Sequence, residues 1–321
     1  MGFDTTGTIN LKLPPLLFNC IRVALTCGIL FVMFHYLALS DLKAVVQSLD
    51  FSRAWVAALL WIPNMGFQWL RWYMLLQTYD HRIGPRAALI SLFGTFPAGL
   101  ITPGRIGELG RALFLPGHNW KIVSFLAMLD RATLMAAVVI WGVPSLYYFQ
   151  TNNLMHLPEQ QAGIAIYFQI IVVLLLLAIA GIIYRHIKKR WAAGNRSSLL
   201  NASLKDPGFI LKFSIISISF VPIFCLQHYF LFSGLTDVPA VEGLAGIFIV
   251  HLLKSLAPFS IGDLGVREGA AIFVFSRFME PEAAASGTFL LFLLNVALPA
   301  LIGLPIFLTF RKKHEAVNDE K

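Results

Sequence analysis

The chain reads as an all-α polytopic membrane protein, with six spanning helices plus two re-entrant helical hairpins arranged as an inverted repeat. Three features carry this reading. Apolar residues make up 57% of the chain against 13% charged, apolar segments recur from Leu16 to Phe310, and two of these segments are broken by Pro, Gly and charge at corresponding places in the two halves. A mean hydropathy of +0.72 is far from a soluble domain, which is about 45–50% apolar and about 25% charged. No stretch is left for a separate soluble fold, so residues 1–321 form one transmembrane domain in this reading.

The six spans are expected at 16–39, 54–78, 121–149, 163–184, 209–233 and 286–310. Each is near the roughly 17–25 residues that a helix needs to cross about 30 Å of hydrocarbon. Lys12 ahead of the first run and Ala38-Leu39-Ser40 at its end imitate a cleavable leader. The run is long enough to span and further spans follow it, so it is read as a retained first helix. The stretches 87–117 and 242–278 are apolar at both ends but interrupted in the middle, too broken for one span and with parts too short for two. Each is expected to enter and leave on one side; the alternative is eight ordinary helices, two of them kinked. The half-repeats, about 16–150 and 160–310, then share the order span, span, hairpin, span, and three crossings per half insert the second half upside down. Paired Gly/Pro-interrupted segments of this kind point to a transporter's binding site near the midplane.

Charge orients the spans. Lys12, Arg82, Arg86, Lys121, the basic residues between Arg185 and Lys212 and those from Arg311 onward fall on one side, against only Lys43, Arg53 and Arg277 on the other. The basic side is cytoplasmic by the positive-inside bias, which puts both termini in the cytoplasm. The net charge of +8 therefore reflects loops beside membrane segments, not a nucleic-acid partner. The basic loop 185–212 attracts anionic phospholipid head groups at the cytoplasmic surface, at about 1 kcal/mol per basic residue. Cys20, Cys27 and Cys225 lie inside apolar segments and read as packing residues. His35, His228 and His251 lie in different segments without ligand spacing and read as interior or interfacial histidines. No metal, cofactor, nucleotide loop or nucleophile elbow is expected.

The first break holds Pro103, Gly104, Arg105, Gly107, Glu108 and Arg111. Pro103 and Gly104 stop one half-helix and Gly107 opens the next, presenting a helix N-terminus that favours an anion, with Arg105 as a bidentate partner for phosphate or carboxylate. Glu108 and Arg111 are three apart and close enough to pair on one face, while a structural ion pair of Glu108 with Arg105 or Arg111 is the plainer reading. The second break repeats the recipe with Pro258, Gly262, Asp263, Gly265, Arg267 and Glu268. Asp130 and Arg131 add charge in the third span. Asp130 is expected to face the interior, pairing with Arg105 or Arg111 or lining a polar path, whereas Arg22 and Arg71 are read as snorkelling to the cytoplasmic surface. Charged groups at membrane depth cost about 2.5–3.5 kcal/mol each, so such a density calls for partners, water or a ligand.

At these breaks the chain resembles the transmembrane region of the lysylphosphatidylglycerol synthase family. The resemblance rests on Thr102-Pro103-Gly104-Arg105-Ile106-Gly107-Glu108 followed by Arg111, on Asp130-Arg131, and on Gly262-Asp263-Leu264-Gly265-Val266-Arg267-Glu268, and covers most of the chain. Asp263 stands where many relatives have a smaller residue, often glycine. Full-length members add a cytoplasmic aminoacyl-transferase domain. This chain ends soon after its last expected span, so the resemblance implies the flippase part without the synthase, in a bacterial inner membrane. It implies a lipid substrate, either an aminoacyl-phospholipid or a polyprenyl-phosphate-linked saccharide.

The residues expected to bind that substrate are Arg105, Glu108, Arg111, Asp130, Arg131, Asp263, Arg267 and Glu268, with Pro103, Gly104, Gly107, Pro258, Gly262 and Gly265 as hinges. A lipid flippase or transporter, not an enzyme, is the leading reading. The alternatives are a membrane-embedded enzyme of lipid-linked sugar or phospholipid metabolism, with Glu108, Asp130 or Asp263 as acid or base, and an accessory subunit of a lipid-synthesising enzyme.

Overall fold

In the computed structural model of the protein, residues 49–102, 104–154, 205–256 and 265–319 are described. The spans expected at 16–39 and 163–184, most of the basic loop, and Pro103, Pro258, Gly262 and Asp263 lie outside them. The described residues form eight α-helices and no strand: α1 (Phe51–Tyr79), α2 (Pro85–Ile101), α3 (Trp120–Thr151), α4 (Pro207–Ser233), α5 (Ala240–Leu256), α6 (Val266–Phe275), α7 (Pro281–Phe292) and α8 (Leu298–Asp319). A 3-10 segment, Ile106–Phe114, follows α2, and a π-helical turn, Leu293–Ala297, joins α7 to α8. Trp120–Thr151, Pro207–Ser233 and Pro281–Thr309 are long and apolar enough to cross a membrane.

Polar residues punctuate the helices. Asp50 caps α1 by accepting from the Ser52 amide at 2.9 Å, and Asn119 caps α3 by accepting from Lys121 at 3.0 Å. Asp206 takes the amides of Gly208 and Phe209 at the start of α4. Pro63, Pro97, Pro144, Pro222 and Pro305 lie inside helices; such positions persist where neighbouring helices satisfy the freed carbonyls.

Helices α1 and α4 pack antiparallel. The Asp50 amide donates to the Gly234 carbonyl at 2.8 Å, Gln227 Nε2 donates to the Ala57 carbonyl at 3.0 Å, and further along the Arg71 guanidinium lies against the Phe220 and Phe213 rings. Midway, three buried carboxamides lock this pair to the π turn. Asn64 Nδ2 donates to Gln227 Oε1 (2.9 Å) and Asn295 Oδ1 (2.7 Å), and Asn295 Nδ2 donates to Gln227 Oε1 (2.8 Å). Removing one member leaves the others short of a partner, which costs about 1–3 kcal/mol. Asn64→Leu is expected to lower stability by that amount in an SDS-unfolding titration, and the triple change with Gln227→Leu and Asn295→Leu is expected to cost less than the single one. A triple variant weaker than the single would show that the amides act by something other than mutual satisfaction.

In each broken segment the described residues form two helical arms that pack on each other. Helix α2 and the 3-10 segment fold back on each other. A Cβ added at Gly94 would meet the Phe114 ring at 2.6 Å, one at Gly99 would meet Glu108 Cγ at 2.8 Å, and one at Gly107 would meet the Ala98 carbonyl oxygen at 2.4 Å. Small residues permit this approach, and their order along the two arms gives an antiparallel register. Helices α5 and α6 also pack together, with the Phe275 ring 2.6 Å from where a Gly246 Cβ would be.

Each hairpin leans on the other half of the chain. Helix α2 packs on α8 and α5 packs on α3. The contacts are closest at Gly303, where a Cβ would lie 2.0 Å from the Phe93 carbonyl oxygen, and at Gly142, where it would lie 2.8 Å from Leu252 Cβ. Both glycines begin a Gly-x-Pro triplet, Gly142-Val143-Pro144 and Gly303-Leu304-Pro305.

Candidate functional site

The turn between α2 and the 3-10 segment begins with Thr102, whose hydroxyl donates back to the Ala98 carbonyl at 2.8 Å and accepts from the Gly107 amide at 2.8 Å. Gly104 and Arg105 both have left-handed backbone, each with φ of 57°. Such a conformation is easy for glycine but costs a residue with a side chain about 1–3 kcal/mol, and it concentrates at functional sites. It aims the Arg105 side chain at Glu108, with which it forms a close ion pair.

Glu108 also meets Arg131 of α3, at 3.1 Å from Oε2 to Nη2, and Arg131 Nη1 donates to the Gly104 carbonyl at 2.6 Å. One turn further, Arg111 reaches Asp130 Oδ2 at 3.1 Å. Asp130 Oδ1 lies 2.8 Å from Arg71 of α1, and that guanidinium donates to the Asp130 carbonyl at 2.6 Å and to the Thr133 hydroxyl at 3.2 Å. Arg111 stacks over Trp72 at 4.5 Å, and Trp72 is fixed by its own donation to Ser91 Oγ at 2.8 Å. The result is one continuous cluster, Arg105–Glu108–Arg131 beside Arg111–Asp130–Arg71, built from α1, α3 and the broken hairpin.

The two ends of the cluster differ in access. Arg71 and Arg111 are 1% and 4% exposed, whereas the side chains of Arg105 and Arg131 are 18% and 31% exposed. The inner end is locked and the outer end is open.

Five of the expected binding residues, Arg105, Glu108, Arg111, Asp130 and Arg131, thus come together, and Asp130 pairs with Arg111 as anticipated. Three expectations change. Arg71 does not snorkel; it is buried and anchors Asp130, because α4 covers it with Phe213 and Phe220. Glu108 pairs with Arg105, one of its two anticipated partners, and with Arg131, while Arg111 is taken by Asp130 of α3. The helix start after the first break does not offer an open amide at Gly107, since Thr102 takes it. The cationic groups at this turn are the Arg105 and Arg131 guanidiniums.

The second hairpin carries its own arrangement. Gly265, at φ 84°, stands before α6, and its amide donates to Glu268 Oε2 at 2.7 Å. Glu268 Oε1 lies 3.3 Å from Arg267, which is 2% exposed. Nearby, His228 of α4 and His251 of α5 share a hydrogen bond of 3.3 Å, both buried. The sequence places these two histidines in separate segments, and only the packing of α4 on α5 joins them.

A helical protein with spans apolar enough for the bilayer and six charged side chains gathered among its helices belongs to the integral membrane proteins whose interior polar site has to be paired or liganded. The chain belongs to the lysylphosphatidylglycerol synthase TM region family, whose model matches residues 19–303. It is thereby a membrane protein of lipid metabolism or transport. No curated protein matches the chain.

Proposed function

We propose that the protein is a flippase or transporter that moves a phosphate-bearing lipid between leaflets of a bacterial inner membrane. The observation that carries this reading is the arginine cluster itself, open at Arg105 and Arg131 and locked at Arg71 and Arg111. The open guanidinium groups would hold the phosphate, with Arg267 serving the other half and Glu108, Glu268 and Asp130 positioning the arginines or meeting a cationic part of the head group. Lipid tails would stay in the bilayer. Glu108 and Asp130, two of the three carboxylates an enzyme would use, are each held between two arginines, an arrangement suited to positioning; the third, Asp263, lies outside the described residues.

Alternating exposure of the cluster would come from an inverted repeat of six spans and two re-entrant hairpins, with both termini cytoplasmic. The antiparallel pairing of α1 with α4, the reciprocal packing of α2 on α8 and α5 on α3, and the matching Gly-x-Pro triplets support that architecture. The basic loop 185–212 would rest on anionic lipid, or dock a lipid-synthesising enzyme.

The test is a leaflet-exposure assay in liposomes with fluorescent anionic, aminoacylated and polyprenyl-phosphate lipids. Arg105→Gly is the informative variant, because glycine suits the left-handed backbone and the side chain is removed without straining the turn. Exchange by the natural chain is expected to fall at least about tenfold in Arg105→Gly and in Arg267→Ala, the loss of one charge-assisted contact with phosphate. Normal exchange in folded Arg105→Gly would overturn the site.

A further inference from the structure

Among the described residues the charges of the cluster do not balance, and the imbalance bears on which lipid fits. Four arginines, Arg71, Arg105, Arg111 and Arg131, face two carboxylates, Glu108 and Asp130. With both carboxylates ionised the cluster keeps two positive charges in excess, and protonating either one only raises that excess. The helices that build and cover it add no compensation: within α1, α2, the 3-10 segment, α3 and α4, Glu108 and Asp130 are the only acidic residues. Arg53, Arg86, Lys121 and Lys212, the other Lys and Arg residues of these elements, all lie near helix starts. The donors are also in surplus. The Nε–H groups of Arg71, Arg105 and Arg111 are buried with no hydrogen-bond acceptor among the described residues, against two acceptors without a hydrogen bond, Glu108 Oε1 and Asp130 Oδ1, which meet arginines as ion pairs, and Arg71 and Arg111 are more than nine-tenths buried.

An uncompensated pair of charges at membrane depth is costly, and a ligand that brings two negative charges relieves it. We infer that the cluster selects a lipid whose head group is a dianion with no cation of its own, such as a phosphate monoester, over monoanionic phospholipids and over aminoacylated ones. A lysylated phosphatidylglycerol head group carries two ammonium groups against one phosphate charge, so it would add a positive charge to a site already in positive excess. A phosphate monoester offers three acceptor oxygens and close to two charges at neutral pH. The open arginines Arg105 and Arg131 can receive it while Arg71 and Arg111 stay paired with Asp130. This inference rests on the cluster being the lipid site proposed above.

The experiment compares five lipids in the same liposomes: a polyprenyl phosphate, its methyl ester, phosphatidate, phosphatidylglycerol and lysylated phosphatidylglycerol. The methyl ester keeps the tail and the phosphate but removes one charge. Equilibrium retention of each lipid by the purified protein in detergent is measured beside exchange. The two monoesters are expected to be preferred about tenfold or more over the methyl ester and phosphatidylglycerol, as charge-assisted contacts are lost with the charge. A preference shared by polyprenyl phosphate and phosphatidate assigns the selection to the head group; one confined to the polyprenyl lipid assigns it to the tail and overturns the inference.

Arg131→Gln is expected to narrow the preference and Glu108→Gln to keep or widen it. The opposite order in folded variants would overturn the charge argument. A preference for the lysylated lipid would also overturn it, and would mean that a carboxylate outside the described residues completes the balance. Retention of monoesters without exchange of any lipid would uphold the dianion selection while removing transport. Exchange without charge preference would do the reverse.

Discussion

Asp130→Ala is expected to lower the stability of the protein by about 3–5 kcal/mol, the cost of leaving buried charges without their partner. Among the described residues, Asp130 is the only acid touching Arg71 and Arg111, two guanidinium groups almost entirely withdrawn from solvent. The carboxylate also fixes where α3 sits against α1 and the broken hairpin, so its loss is felt in three elements at once. Unfolding by SDS or heat in detergent micelles reads the effect directly. Asp130→Asn should be nearly as harmful, because it keeps the shape and loses the charge. Adding Arg71→Met to Asp130→Asn should recover part of the loss, since one stranded cation is removed with its partner, and the two changes should be far from additive. An Asp130→Ala protein unfolding within about 0.5 kcal/mol of the natural chain, the range of ordinary surface changes, would mean that the pairing is peripheral.

The second large effect is at the crossing of α2 and α8. A methyl group on Gly303 would lie 2.0 Å from the Phe93 carbonyl oxygen and 3.1 Å from Pro97 Cδ. The obstacle is backbone, which cannot rotate aside, so Gly303→Ala must push the two helices apart. Overpacking of this kind costs about 1–3 kcal/mol and occasionally more, and here the upper end is expected because α2 is also the first arm of the hairpin that carries Arg105. Gly142→Ala, facing a leucine side chain at 2.8 Å, should cost less. Gly66→Ala is the control: it is mid-helix and exposed with nothing within 4 Å, and should stabilise by up to about 1 kcal/mol. Equal behaviour of Gly303→Ala and Gly66→Ala in thermal unfolding would disprove the close crossing.

Much of the cluster could be read from the sequence because charge at membrane depth is rare enough to be informative. Arg105, Glu108, Arg111, Asp130 and Arg131 stand in or beside apolar runs, and the Pro and Gly around residues 102–107 mark the break between them. Arg71 escaped this reading because it stands near the end of its apolar segment, where a long cationic side chain usually finds water. Its burial depends on Phe213 and Phe220, which come from a distant part of the chain. The 3-10 winding of Ile106–Phe114 has no local signal, and the choice of Arg105 and Arg131 over Arg111 as partners of Glu108 depends on α3, which brings Asp130 to Arg111 and Arg131 to Glu108. The equivalence of Gly107 and Gly265 is also one of sequence more than conformation. Gly265 has a positive φ, whereas Gly107 is needed because the Ala98 carbonyl passes 2.4 Å from the place of a Cβ. The carboxamide triad and the histidine pair leave no local signal at all, since each unites neutral residues from separate helices.

The exchange of hairpins between the halves has a consequence for how the protein is made. As the chain leaves the ribosome, α2 emerges long before α8, so the groove beside Phe93 and Pro97 has to wait for Gly303 of the other half. Helix α5, by contrast, finds α3 already in place. The arginines of the first hairpin thus meet Trp72 and Asp130 early, whereas the crossing at Gly303 forms only once α8 has been made.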